Sequence, residues 1–152
     1  MSVDYIVASL PELKFSETPV IDWERFAAIV GEIPESPSWR DLEVQLRNAV
    51  AEARAPAGYE RSLRPASGCS LYWKNRILSC FQEQDVLRRD ELIDRVFWDA
   101  AGELTSPTDP LGKGALATYA VRLRIALKRA KISKVEGNAA FDRLTASTKI
   151  EF

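Results

Sequence analysis

Seven apolar residues between Leu116 and Ala130, namely Leu116, Tyr119, Ala120, Leu123, Ala126, Leu127 and Ala130, fall within an arc of roughly 120° when wound at 100° per residue. No strand can place these residues on one side, because alternate residues of a strand face opposite ways. A helix with such a stripe must bury it, and the rest of the chain has to supply the partner surfaces. Five further segments show the same periodicity, and none shows the sustained alternation of a half-buried strand. The expectation is an all-α protein: a single compact helical domain of about five to six helices over residues 1–145, followed by a C-terminal tail, 146–152.

Local signals place the other helices. After an apolar opening, Tyr5 to Leu13, Asp22 is read as the cap of a segment in which Trp23, Phe26, Ala27 and Val30 share a face, and Gly31 as its stop. Ser38-x-x-Asp41 resembles a capping box and predicts the start of a second helix with the stripe Leu42, Leu46, Ala49, Val50 and Ala53, ended by Pro56. Residues 55–69 have no clear period and are the candidate mobile loop. Trp73, Ile77, Cys80, Phe81 and Gln84 mark the next helix. Asp90 is then read as the cap of a helix with the stripe Ile93, Val96, Phe97, Ala100 and Leu104. Ser133-x-x-Glu136 is a second capping-box match and predicts a short last helix through Phe141 and Leu144.

Composition limits the chemistry. The 152 residues contain no histidine, which removes imidazole metal ligands and the Ser-His and Cys-His nucleophile pairs. The two cysteines, Cys69 and Cys80, are spaced for neither a redox C-x-x-C nor a zinc knuckle, and read as unpaired thiols. Gly112-Lys113-Gly114 resembles a phosphate loop but lacks the following Ser or Thr, so it reads as a loop before a helix. The carboxylates Asp90, Glu91 and Asp94 read as solvated helix faces. No catalytic residue, metal or cofactor is expected. The apolar runs are too short to span a bilayer, and Met1-Ser2-Val3-Asp4-Tyr5 has an acid where a secretory signal carries a base, so a cytoplasmic location without membrane insertion is expected.

Charge is the remaining signal. Lys+Arg 21 against Asp+Glu 22 gives a formal net charge of -1, which argues against nucleic acid as a partner. Between Asp109 and Glu136, however, there are only cations among the charged residues. Arg124, Lys128 and Lys131 line one flank of the Leu116–Ala130 stripe, with Arg122 and Arg129 on the other. Arg47 and Arg54 cluster beyond the edge of the second stripe, and Trp98 lies almost opposite its own helix's stripe. These eight are the candidate partner-binding residues. For the cations the alternative is a solvated face with snorkelling stems, and for Trp98 a second layer of core.

Several segments carry a family resemblance. Tyr5-Ile-Val-Ala-Ser-Leu-Pro-Glu-Leu13, Leu46-Arg-Asn48 with Arg54-Ala55, and Arg95-Val-Phe-Trp-Asp-x-x-x-Glu103-Leu104 resemble a bacterial family of small V-type ATPase-associated proteins, related to the C-type component of the central stalk (the d-type component in eukaryotes). Tyr119-Ala-Val-Arg-Leu-Arg-Ile125, Lys134-Val-Glu-Gly137 and Phe141-Asp-x-Leu144 are similar to the helix pair in which such chains end. The resemblance implies an all-helical, non-catalytic coupling component or accessory factor of a rotary ATPase that pumps protons or sodium ions. Its partners would be the rotor shaft, the membrane ring or both, at the cytoplasmic side of the membrane. Complete central-stalk components of this type contain three related helical units, of which a chain this short would supply one. The other reading from the residues is a soluble helical adaptor that binds an acidic protein or nucleic acid through the basic C-terminal helix.

Overall fold

The computed structural model describes residues 2–32, 36–55 and 70–150, with the side chains of 136–141 and 144–150 excepted. Among the described residues the protein is all-α, with six α-helices, a single 3-10 turn and no strand. The helices are α1 (Val3–Ser9), α2 (Trp23–Val30), α3 (Pro37–Arg54), α4 (Leu71–Cys80), α5 (Val86–Ala101) and α6 (Lys113–Ile150), the 3-10 turn Gly102–Leu104 lying between α5 and α6.

Elementary end chemistry fixes several boundaries. The Arg25 N–H donates to Asp22 Oδ1 at 2.8 Å, satisfying one of the orphan donors at the start of α2. Gly31 ends that helix at φ 78°, a conformation that favours a residue without a Cβ. Two expected starts move. α3 is capped by Ser36, which accepts from Trp39 N–H at 3.2 Å, with Pro37 in the first turn, so Ser38 and Asp41 lie inside the helix. α5 is capped by Asp85, which accepts from Leu87 N–H at 3.0 Å, and Asp90 sits a turn further in. Ala55 closes α3 in extended backbone, as the residue before a proline prefers; the rest of the candidate loop, 56–69, lies outside the described residues.

The largest departure is at the C-terminal end. Ser133 caps nothing: α6 runs unbroken through it and through residues 146–150, where a separate tail is expected. Its 38 residues correspond to about 57 Å at 1.5 Å per residue. Among the described side chains of α6, the buried ones lie between Leu116 and Ala126.

Three apolar clusters hold the helices together. Leu42, Leu46 and Ala49 of α3 meet Trp73, Ile77 and Cys80 of α4 over Ile93, Val96 and Ala100 of α5. Phe26 of α2 and Ile21 pack on Ala120 and Leu123 of α6. Phe15, Trp98 and Ala126 join α5 to α6. α5 therefore has two apolar faces, and Trp98, 7% exposed, fills the second, with the Phe15 ring edge-on at 5.6 Å. Burial of each large side chain contributes about 2 kcal/mol, so these clusters dominate the stability.

Candidate functional site

Every cation between Arg122 and Lys131 sits on α6, but the fold gives them different work. The Arg122 Nε–H donates to the Trp98 carbonyl at 3.1 Å, and its guanidinium stacks 5.3 Å from the Trp98 ring centroid. Burial holds its pKa below the ordinary arginine value, with the nearby Asp99 opposing the shift. Arg122 and Trp98 are thus parts of the α5–α6 interface, Trp98 buried and Arg122 half-buried.

Lys128 and Arg129 reach α5. Lys128 Nζ donates to Asp94 Oδ1 at 3.0 Å, while Arg129 Nη1 donates to Asp90 Oδ2 at 2.9 Å and to Asp94 Oδ2 at 3.3 Å. Asp94 is 7% exposed, so it is no solvated carboxylate. This corrects two readings at once. The basic stretch has acidic neighbours, supplied by another helix, and Asp90 and Asp94 are built into the fold. The available signal is their spacing, four residues apart beside the Ile93–Phe97 stripe, which puts both at the edge of a buried face.

Four of the remaining candidate cations line one groove. α3 and α6 flank α5, and between them runs an open groove with a volume of 830 Å³. Arg47 and Arg54 line it from α3, and Arg124 and Lys128 from α6. Its apolar lining includes Trp39, Val44 and Ala51 from α3, Phe97 from α5, and Val121 and Ile125 from α6. Four of the eight candidates therefore share a site that their separation of about seventy residues in sequence conceals.

The electrostatics of the groove follow from its pairings. Arg47 is bound to Glu43 at 2.6 Å, yet its side chain remains 66% exposed. Lys128 is 51% exposed despite its bond to Asp94 and keeps donor capacity toward solvent. Arg124 lies 4.3 Å from the Trp23 ring centroid, an attraction that orients the guanidinium without neutralising it. Arg54 stands at the C-terminal end of α3, where a cation complements the helix dipole. Beside the groove, Lys131 lines a second depression of 540 Å³ with Trp23, Leu127 and Ile132, and Arg124 and Lys128 border both.

Cationic lips over a partly apolar floor can offer charge-assisted hydrogen bonds and apolar contact to a ligand. Among the described residues no group of three or more His, Cys, Asp or Glu is placed to hold a metal ion, and no helix is long and apolar enough to cross a membrane. The chain matches no protein-family model, no curated protein and no solved structure.

Proposed function

We propose that this protein is a non-catalytic coupling component or accessory factor of a V-type rotary ATPase, of the C type found in the central stalk, acting in proton or sodium-ion transport. It would work peripherally on the cytoplasmic side of the membrane, against components of the rotor shaft or the membrane ring. One observation carries the reading: three of the segments that resemble this family pack against one another. The Tyr119 hydroxyl donates to the Pro11 carbonyl at 2.6 Å across 108 residues of sequence, joining the Tyr5–Leu13 segment to the Tyr119–Ile125 segment. The Arg122–Trp98 contact joins the latter to the Arg95–Leu104 segment. A part that transmits torque needs packed, stiff helices rather than a reaction centre. A long α6 clamped along its first half fits that task.

The test is affinity purification of the tagged chain from its own organism under mild detergent. Recovery of V-type ATPase shaft or ring components, lost on disrupting the α5–α6 interface, is the expected result. Their absence from a stably folded, well-expressed preparation overturns it. The second reading, a helical adaptor for an acidic partner, is favoured by the four cations lining one groove, and retention of a partner without any ATPase component selects it.

A further inference from the structure

We infer that the groove between α3 and α6 is a docking site for an amphipathic α-helix of a protein partner whose apolar face is rimmed by carboxylates. The shape supports a helix. Two helices standing on either side of α5 leave a trough with a third helix as its floor, and a helix laid there would complete a four-helix arrangement. Val44, Ala51 and Phe97 would receive its apolar side chains, in the mode by which helices anchor through residues on successive turns.

Charge selects the partner. Glu43, Asp90 and Asp94 also lie at the groove, but each is already held, by Arg47, by Arg129, and by Lys128 together with Arg129. Four cations line the groove against these three carboxylates, and with Arg129 pairing Asp90 and Asp94 from outside it, Arg54 and Arg124 are left as the surplus. The surplus cations stand on opposite helices, Arg54 on α3 and Arg124 on α6. A ligand with carboxylates along both edges matches this layout. Nucleic acid is the weaker match, because the formal net charge of -1 supplies no overall field toward phosphates and the groove carries three carboxylates of its own.

The probe is a fluorescein-labelled peptide of about three heptads with leucine at the core positions and glutamate at the flanking ones, followed by anisotropy. Its controls are a scrambled peptide and a lysine-flanked version. Saturable binding of the glutamate peptide is expected, weakened by about tenfold or more in Ala51→Trp, which fills the groove, and weakened as salt is raised. Arg54→Glu with Arg124→Glu is expected to reverse the preference toward the lysine-flanked peptide. Thermal melts of each variant establish that the fold survives.

Equal binding of the scrambled peptide, or no effect of Ala51→Trp in a folded variant, overturns the proposal. So does concentration-dependent dimerisation that Ala51→Trp abolishes, which makes a second copy the occupant. Competition by a single-stranded oligonucleotide that depends on Arg54 and Arg124 does the same. Binding seen only when residues 56–69 are replaced by a Gly-Ser linker also overturns it, since the chain then covers its own groove. An acidic helix can belong to many assemblies, so a failed co-purification with ATPase components leaves this test standing.

Discussion

Asp94 on α5 accepts from Arg129 on α6 at 3.3 Å with one carboxylate oxygen and from Lys128 at 3.0 Å with the other, so one nearly buried acid ties two consecutive basic residues of the longest helix to the core. Asp94→Ala leaves Arg129, itself only 17% exposed at the side chain, short of a partner. The expected cost is about 2 kcal/mol, below that of a fully buried pair because Lys128 is half in solvent. Asp90→Ala, which removes one better-exposed partner, should cost under about 1 kcal/mol. Urea denaturation with an unchanged m-value distinguishes the two.

Gly114→Ala should destabilise although alanine is intrinsically favoured in a helix by about 1 kcal/mol. A Cβ at this position collides with the backbone carbonyl oxygen of Leu104, where the start of α6 lies against the 3-10 turn. Backbone on both sides cannot give way as a flexible side chain does. The net loss is expected at about 1–3 kcal/mol, read as a fall in Tm.

Burial pushes Tyr119 up to about 12, from an ordinary tyrosine value near 10. The folded state thus holds the phenolic proton more tightly than the unfolded chain, so this contribution is complete below about pH 10 and is lost as pH rises through about 12. Thermal melts from neutral to strongly alkaline pH should show a stability loss over that window. Tyr119→Phe should be less stable at neutral pH by about 1 kcal/mol through loss of the bond to Pro11, and should lose less on alkalinisation.

Cys80 is 6% exposed, burial raises its thiol pKa, and its Sγ–H donates to the Arg76 carbonyl at 3.3 Å. In a Cys69→Ser background the remaining thiol should react with a disulfide reagent at least about a hundredfold more slowly than a free thiol, and fully on unfolding. Asp94→Ala in the same background should speed the reaction if opening of the core limits it.

Local rules were readable where they act over a few residues. Asp22 and Gly31 bound α2 because a side-chain acceptor at one end and a positive φ at the other are settled within a single turn. The stripes of α3 to α6 name their own buried faces: Leu46, Ile77, Val96 and Leu123 all lie in the core. At two other starts the cap lies upstream of the residue that the pattern singled out. Ser36 prevailed over Ser38, with Pro37 already set for a first turn, and Asp85 prevailed over Asp90. Ser133-x-x-Glu136 has the capping pattern but no breaker before it, and cooperative propagation carries α6 through.

By itself the sequence determined the helical class and the main apolar stripes of α2 to α6, since a period of 3.6 is a property of consecutive residues. Only the tertiary structure decided what the charged and aromatic residues do. Trp98 could be core or anchor until Phe15 and Arg122 closed over it, and Lys128 and Arg129 looked solvent-facing until α5 brought Asp94 beside them. Arg47 and Arg54 joined Arg124 and Lys128 across one groove for the same reason. Ion pairs, ring stacking and groove lips depend on distances through space between helices, and a one-dimensional pattern carries no such distance.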